Sequence, residues 1–577
     1  MKPRILMCIT AMTLFAALAI PVGLIADDDR DQHHHKHHHY KLIDIGTFGG
    51  PASLIVPNGE IGSDNPVNSK GHAVGTAATS AQLSSQSNII CGGLEGGVPN
   101  VNQAFLVRHH TMINLGSLGG TEDCSIAVSI NTAGEIAGSS ENGVVDPISG
   151  INELRGVRWH HLAAQDLGTL GGNHSLAAGI NSRGQIVGLS LNQTADAVSM
   201  YYFQILNITS GTQTRAVLWD KDNRIHDLGT LGGSDAWGTF INERGQVSGF
   251  SYTSSDLTPD GGLPPTHPFL WDPLAGKHGK MYDLGTLGGS SAGSEIINME
   301  GGLNNLGHVV GTSLLRGDQS YHPFFWQKGK RMKDLGTLGG ECAGAGGIND
   351  SDEVVGRADV RGTCSHLLRT SLSQNDVNLR TVDGARSTRT INTTGEVSHA
   401  FLWRPGMKNL LDLGTIAGDM NSYAAAINSK HQTVGVSATE SQFVYRAFLW
   451  ESGGPMVDLN TLIPHNSPLY LNEAFAINDQ GDIVGIGTPQ ECMSGFPDCG
   501  HAFLLIPCDE DHPGIEDCDY NPVDEGATAA VNAIPATQMT AAAKPGLPLG
   551  AGRQSMRPAG LRSTPWYRGF RVQQPQK

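Results

Sequence analysis

Short apolar runs and short alternating runs recur along the chain between clusters of turn residues. Residues 215–219 (Arg-Ala-Val-Leu-Trp) form an apolar run, and residues 225–228 alternate apolar with polar side chains at a period of two. Residues 236–241 and 246–250 then flank the turn sequence Asn-Glu-Arg-Gly. A period of two is typical of strands, and Asn and Gly suit the ends of a tight turn. The segment therefore predicts four strands, which we name a, b, c and d in this order.

Three phrases that belong to these strands each recur eight times. Strand a carries His/Arg-Ala-Phe-Leu-Trp, and strands c and d carry Ile-Asn-x-x-Gly-x-Ile-Val-Gly, as at residues 399–403 and 180–188. Asp-Leu-Gly-Thr-Leu-Gly-Gly, the strand b phrase, is complete at residues 166–172, 227–233, 283–289 and 334–340, with degenerate copies that begin at Asp44, Asn114, Asp412 and Asp458. Its copies begin 46 to 78 residues apart, which is too irregular for a solenoid. Constant strands joined by loops of variable length indicate an all-β protein, a β-propeller of four-stranded antiparallel blades. Eight blades are favoured, with seven to nine open because residues 378–397 resemble a decayed copy.

The order of the phrases at the two ends predicts a closed ring. The repeats begin with strand b at residues 41–46 and end with strand a at residues 501–506. We expect the C-terminal strand a to pair with the N-terminal strands b, c and d, which completes one blade and leaves no open sheet edge.

The His-Ala-Phe that opens strand a at residues 399–401 and 501–503 carries a family resemblance. Residues 41–506 resemble the HAF-repeat family of extracellular bacterial proteins, in which the three phrases follow one another in fixed order. The resemblance implies a secreted protein of repetitive β architecture and supplies no catalytic residues.

The segments outside the repeats differ in composition. Residues 1–26 have a basic start and an apolar stretch, which predicts a signal peptide and hence secretion, although the apolar run is long enough to be retained as an anchor. Residues 27–40 are a His-rich linker and residues 507–523 an acidic extension with two cysteines. Residues 524–577 are rich in Ala, Pro and Gly with five late arginines, a composition typical of a disordered tail.

Eight cysteines follow the signal, an even number that suggests disulfides in an exported chain. Because strands in a meander alternate in direction, the b-to-c and d-to-a loops lie at the same end of a blade. We expect the pairs Cys91–Cys124, Cys342–Cys364, Cys492–Cys499 and Cys508–Cys518, although sequence cannot prove connectivity.

The net charge of −17 argues against nucleic acid, whose phosphates require a basic surface. We expect no membrane association unless the signal is retained as an anchor. We also expect the protein to be a monomer. The sequence lacks the Gly-x-Ser-x-Gly motif of serine hydrolases, the His-Glu-x-x-His motif of zinc hydrolases and a phosphate-binding loop. It therefore gives no support for nucleophilic, zinc-hydrolase or nucleotide chemistry.

The most concentrated metal-binding chemistry is the tract from His33 to His39, since neutral imidazole binds Zn, Ni or Cu. A solvated linker or an introduced tag is favoured over a specific metal site, although the interrupted histidine pattern disfavours a tag. The acidic loop at residues 508–514 fails as a calcium loop because Pro513 stands at a ligand position. The repeated Asp of strand b, and the Trp and His of strand a, recur in most units, and we interpret them as scaffold. No catalytic, cofactor-binding or metal-binding residue is assigned.

The d-to-a loops vary most between units, at residues 76–102, 139–154, 189–214, 250–266 and 357–398. Variable loops on a constant scaffold carry function, so we expect their face to bind an extracellular glycan or protein without catalysis. Removal of residues 189–214 and 250–266 is expected to spare folding. A propeller hydrolase or lyase acting on polysaccharide, and a self-assembling surface protein, are the alternatives. Nonrepeated carboxylates or histidines that converge in the channel would favour the enzyme.

Overall fold

The computed structural model describes residues 36–56, 65–88, 100–206, 208, 210–256, 264–292, 301–362, 364, 397–439, 444–451, 453–492 and 499–524. The predicted signal peptide, most of the His-rich linker, nearly all of the decayed copy and nearly all of the predicted tail lie outside the described residues. No helix in the described part of the chain is long and apolar enough to cross a membrane.

Eight antiparallel sheets are arranged as the blades of a propeller, which confirms the predicted all-β fold and favoured blade number. Each sheet has the order c-d-a-b. The strands of blades 1 to 4 are Gly49–Leu54, Ala73–Gln82, Asn100–Arg108 and Thr111–Asn114; Ser125–Ile130, Ile136–Val145, Asn152–His160 and Ala163–Asp166; Ser175–Ile180, Ile186–Asp196, Gly211–Trp219 and Ile225–Asp227; and Ala236–Ile241, Val247–Tyr252, Thr266–Asp272 and Lys280–Asp283.

Blades 5 to 8 follow the same plan, except that strand c of blade 5 is split in two. Their strands are Gly288–Ala292 with Gly302–Leu303, Val309–Leu315, Tyr321–Trp326 and Lys333–Asp334; Ala343–Ile348, Val354–Arg361, Val397–Trp403 and Leu411–Gly414; Asn421–Ile427, Thr433–Thr439, Val444–Trp450 and Val457–Asp458; and Leu469–Ile477, Ile483–Pro489, His501–Pro507 and Tyr40–Asp44. Helical turns are short: a π-helix at Met200–Ile205 and 3-10 turns at Leu459–Thr461 and Gln490–Cys492.

The ring closes through the predicted pair of strands, but the blade boundary differs from the prediction. Tyr40–Asp44 pairs antiparallel with His501–Pro507, so the N-terminal strand b completes a blade whose other three strands are C-terminal. The N-terminal strands c and d belong to blade 1 instead. The reason is that the Gly-Gly loop after strand b crosses to the next blade, so strands b and c on either side of it never form a hairpin.

Strand c is the inner strand of each blade, since the c strands of neighbouring blades contact each other while strand b is short and exposed. One Asn follows strand c in every blade, and its side-chain amide donates to the backbone carbonyl of the equivalent Asn in the next blade. The eight bonds, 2.8 to 3.1 Å long, run through Asn68, Asn131, Asn181, Asn242, Asn304, Asn349, Asn428 and Asn478 and return to Asn68. We call this the asparagine ring.

The repeated Asp and the residue that opens strand a pair with each other in blades 2 to 6 and in blade 8, as expected for scaffold. Asp283 accepts from the Gly285 amide at 2.8 Å and contacts His267 Nδ1 at 2.8 Å. Although burial alone would raise it, these bonds hold the pKa of Asp283 below its ordinary value. Arg215 replaces the His in blade 3 and bonds Asp227 in the same way. The repeated Trp packs between blades: Trp159 of blade 2 lies in one cluster with Val74 and Leu106 of blade 1.

Three of the four predicted disulfides are present, at Cys342–Cys364, Cys492–Cys499 and Cys508–Cys518. Cys124 is also disulfide-bonded, while Cys91 lies outside the described residues. Disulfides persist in oxidising compartments, so the chain has the chemistry of an extracellular or periplasmic protein.

Candidate functional site: a buried polar network beneath the variable loops

The two ends of the propeller present different surfaces. One end, the loop face, carries the b-to-c and d-to-a loops; the other, the hairpin face, carries the c-to-d and a-to-b turns. The Gly172 amide, in a b-to-c loop, donates to the carbonyl of Leu191 near the end of strand d, and Cys342–Cys364 joins the two kinds of loop. These contacts confirm that both loop types share one face.

The variable loops are shorter than the sequence indicated, because strands d and a extend well beyond their repeated phrases. The described strands leave loops at residues 83–99, 146–151, 197–210 and 253–265 on blades 1 to 4. The expectation that residues 189–214 can be removed without loss of folding is wrong. That segment contains strand residues and Tyr201 and Tyr202, which are fully buried in a cluster shared by blades 1 to 4.

A nonrepeated pair, His174 and Asp146, lies at the centre of this buried region. His174 ends the b-to-c loop that enters blade 3, and Asp146 begins the d-to-a loop of blade 2. Both are completely buried, and His174 Nε2 lies 3.2 Å from Asp146 Oδ2. The fold thus brings a carboxylate and an imidazole together from two different blades.

The protonation of His174 follows from its neighbours. The Leu154 backbone N–H donates to His174 Nδ1 at 3.0 Å, so Nδ1 is an acceptor and carries no proton. The Tyr201 hydroxyl, 3.0 Å away, donates to the same nitrogen. The ring proton is therefore on Nε2, which donates to Asp146. Both ring nitrogens are occupied, and His174 has no free lone pair with which to accept a proton from a substrate.

Asp146 is held as a carboxylate by a shell of donors. The amides of Ile148 and Ser149 and the hydroxyl of Tyr202 donate to it at 3.0 to 3.1 Å, with further bonds from Asn173 and His174. Although burial alone would raise it, these hydrogen bonds hold the pKa of Asp146 well below its usual range. The carboxylate of Asp146 thereby holds the backbone of the d-to-a loop that follows it.

The network extends into blade 1 and blade 4. Asn88, in the d-to-a loop of blade 1, donates to the Tyr201 hydroxyl at 3.1 Å. On the other side, Asp235 of blade 4 accepts from the Met200 amide at 2.6 Å, at the start of the π-helix. Burial and the neighbouring Asp196 charge raise the pKa of Asp235 to about 8, so it is protonated at neutral pH. Loops from four adjacent blades are joined as one unit.

The cluster of His174 and Asp146 is closed to solvent. Its central side chains are buried and mutually satisfied, and no group of three or more metal-ligating side chains occurs in the part of the chain that the structure describes. The sequence did not identify these residues because each occurs once and lies between the repeated phrases. The only signal was His174 itself, since the equivalent positions after the other complete Gly-Gly pairs are not histidine.

Above the network, three aliphatic side chains of blade 2 are exposed, two at the end of strand d and one in the d-to-a loop that follows, and we call them the aliphatic patch. Val144 is 52% exposed, and Val145 and Ile148 are each 38% exposed. Asp146 lies between them in sequence and bonds the Ile148 amide, so a buried carboxylate fixes the backbone that presents these side chains. Exposed aliphatic side chains on a fixed backbone offer apolar surface that a partner can bury.

The end of the His-rich tract is part of the folded body. Lys36–His37 pairs with Val523–Asp524, and the buried His37 Nδ1 lies 2.7 Å from Glu451 Oε2. Although burial alone would raise it, hydrogen bonds from His37 and Gln432 hold the pKa of Glu451 below its ordinary value. The residues from His33 to His35 lie outside the described part of the chain, so a metal role for the tract stays a prediction.

Comparison with known proteins adds little. No protein-family model matches the sequence, and no curated protein matches it. One similar solved structure is the β-propeller domain of the trilobed protease from Pyrococcus furiosus, with 10% identity and a TM-score of 0.35, covering 68% of this chain and 93% of that one.

Two other solved structures are similar at the same low level. Puromycin hydrolase is 10% identical with a TM-score of 0.37, covering 74% of this chain and 60% of that one. A gluconolactonase from Xanthomonas campestris is 9% identical with a TM-score of 0.23, covering 68% of this chain and 91% of that one. At such identities and TM-scores these similarities carry no argument about what this chain does.

Proposed function

We propose that this protein is a secreted, noncatalytic β-propeller that binds an extracellular partner through the loop face of blades 1 to 4. The observation that carries the proposal is the aliphatic patch of Val144, Val145 and Ile148, held in place by a buried network that joins loops from four blades. A preorganised loop loses little conformational entropy on binding. The partner is a glycan or a protein, and the aliphatic character of the patch favours a protein.

The network supports a positioning role over a catalytic one. A general base needs a free lone pair within reach of substrate, whereas His174 Nδ1 already accepts two hydrogen bonds and the ring is buried. Asp146 is equally enclosed. The nonrepeated acid and imidazole that would favour an enzyme are therefore present but closed off from solvent.

The test compares capture of exported proteins and glycans by immobilised wild-type protein and by two triple variants. Val144→Ser with Val145→Ser and Ile148→Ser removes the patch, and we expect capture to fall at least roughly tenfold because each buried apolar anchor contributes about 1 kcal/mol or more. Leu162→Ser with Leu306→Ser and Leu411→Ser is the matched control, since these leucines are 40 to 44% exposed on the hairpin side. Equal capture by wild type and the patch variant contradicts the proposal.

The enzyme alternative has its own test. Incubation of the protein with polysaccharides and peptides, followed by product analysis, is expected to show no turnover. Turnover that Asp146→Asn abolishes while circular dichroism and the melting temperature stay unchanged would instead establish catalysis at this cluster.

A further inference from the structure

The outer a-to-b turns of blades 4 to 6 carry a concentration of positive charge in a chain whose net charge is −17, whereas the inner c-to-d turns of the same blades carry the carboxylates Glu243, Asp350, Asp352 and Glu353. The three consecutive a-to-b turns, residues 272–282, 327–333 and 404–409, contain one carboxylate and eight cationic side chains. We call these turns the basic sector; its cations are Lys277, Lys280, Lys328, Lys330, Arg331, Lys333, Arg404 and Lys408. All eight are exposed.

Contacts between the turns show that these charges form one surface. Lys328 of blade 5 bonds Asp272 of blade 4 at 2.9 Å and lies over the Tyr282 ring at 4.7 Å. Lys333 of blade 5 lies over the Trp403 ring of blade 6 at 4.3 Å. The fold therefore joins three segments that are about fifty to eighty residues apart in sequence.

The sector has the composition of a surface that meets an anionic layer. Lys328 is neutralised by Asp272 and Arg404 partly by Glu353, at 3.8 Å. Lys277, Lys330 and Arg331 make no ion pair within the described residues. A cluster of four to eight lysines and arginines is attracted to anionic lipid headgroups, while the lysine-rich composition is depleted in protein–protein interfaces.

One apolar residue distinguishes a bilayer from other polyanions. Leu274 lies at the tip of the blade 4 turn and is 87% exposed, the most exposed of the large apolar side chains in the described chain. An apolar side chain beside lysines gains energy by entering the headgroup region of a membrane, whereas a charged polysaccharide offers it nothing. The turns lie at the outer rim of the ring, where they can meet a flat surface.

The charges on the rest of the hairpin face determine how the propeller would be oriented on an anionic surface. The acidic extension, closed by Cys508–Cys518, lies on blade 8 and contacts the same face through Lys430 and Asp511, 3.1 Å apart. Blade 8 is opposite blade 4 in an eight-bladed ring. An anionic surface would attract the basic sector and repel the extension, so the propeller would dock on the edge formed by blades 4 to 6.

We propose, in place of the sequence-based expectation of no membrane association, that the basic sector and Leu274 bind the surface of an anionic lipid bilayer. This membrane-docking surface is separate from the loop face and does not depend on the function proposed above. Docking by the hairpin face would leave the variable loops directed away from the bilayer.

The test measures co-sedimentation of the full chain, in the form recovered after export, with phosphatidylcholine vesicles that contain or lack phosphatidylglycerol. Lys277→Gln with Lys330→Gln and Arg331→Gln is expected to weaken binding to the anionic vesicles on the order of 100-fold, since each such cation contributes roughly a factor of five to ten. The matched control is Arg108→Gln with Lys221→Gln and Arg224→Gln, which removes the same charge from the hairpin face of blades 1 and 3 and should change binding little.

Two further measurements separate the possible binding sources. Leu274→Ser should weaken vesicle binding but leave binding to soluble polygalacturonate unchanged; if Leu274→Ser has no effect on vesicles, the surface is a polyanion site and the membrane proposal fails. Salt-sensitive dimers in sedimentation without vesicles, lost in the Lys277 triple variant, would assign the sector to a second copy and also overturn it. Equal vesicle binding by the two triple variants overturns it as well, because the unchanged N-terminus or arginine-rich tail would then be responsible.

Discussion

At the scale of single residues, glycines allow strands c and d to approach each other closely. A Cβ on Gly188 would lie 1.9 Å from the Leu176 carbonyl oxygen, opposite a β-bulge in strand c of blade 3. Equivalent glycines at 138, 249, 356, 435 and 485 meet the same obstacle at 2.0 to 2.1 Å. The Gly of the repeated Ile-Val-Gly is thus required by backbone packing.

We expect Gly188→Ala to lower the free energy of unfolding by at least about 1 to 3 kcal/mol, because the backbone of strand c must move to make room for the new Cβ. Chemical denaturation followed by tryptophan fluorescence measures the change. Gly156→Ala is the control, since its Cβ would meet no atom closer than 3.4 Å and should be tolerated. Equal stabilities of the two variants would disprove the packing argument.

The pH dependence of stability is set in part by Asp235. Its folded-state pKa of about 8 lies above the ordinary value of 3.8, so the folded state binds the proton more tightly than the unfolded state. Its contribution is therefore complete at low pH and is lost as the pH rises toward about 8.

Asp235→Asn should flatten this dependence, because Asn can accept from the Met200 amide without titrating. The melting temperature of the wild type should fall more than that of the variant between pH 5 and pH 8.5, because this range leads from above the ordinary pKa of an Asp to above the folded-state pKa of Asp235. Asp222→Asn, at an exposed turn, is the control. Parallel pH profiles for wild type and Asp235→Asn would refute this assignment.

At the scale of elements, each c-to-d hairpin combines a turn cap with a link to the next blade. Asn181 Oδ1 accepts from the amides of Arg183 and Gln185, and its Nδ2 donates to the carbonyl of Asn242. The sequence predicted the turn cap, because Asn in that position has a local use. It could not predict the link, which depends on where the neighbouring blade lies.

Asn181→Asp separates the two roles. The carboxylate keeps the acceptor for the turn but loses the donor, and it places a negatively charged oxygen against the Asn242 carbonyl and Gln185 Oε1. We therefore expect a loss of about 1 to 3 kcal/mol at neutral pH. Protonation of the new carboxyl at acidic pH restores a donor and should recover part of the loss. Denaturation at both pH values checks this, with Asn409→Asp on the exposed rim as the charge-matched control. An unchanged free energy of unfolding at pH 7 would show that the bonds of the asparagine ring do not stabilise the propeller.

The order of phrases at the chain ends predicted ring closure because it is a property of the sequence alone. The blade boundary was wrong for a physical reason: paired glycines suit a hairpin and a crossover equally well. His174 and Asp146 were missed because they come from loops without repetition, and only the packed fold brings them together.

At the scale of the whole molecule, the two faces of the propeller differ in chemistry. The loop face combines a buried polar network with exposed aliphatic side chains, and the hairpin face includes a basic sector and an acidic extension. A repeated scaffold makes both possible, since residues that hold the blades are separate from those that vary between them. The central claim is that binding occurs on the loop face above the network.

Photo-crosslinking from single positions tests that claim most directly. A photoreactive amino acid placed at Val144 or Ile148, on the loop face, or at Leu162 or Lys221, on the hairpin face of blades 2 and 3, is exposed in every case. The protein is irradiated in medium that contains exported proteins and glycans. We predict a discrete adduct from positions 144 and 148 and none from positions 162 and 221. Adducts only from 162 and 221, or equal labelling at all four positions, would contradict it.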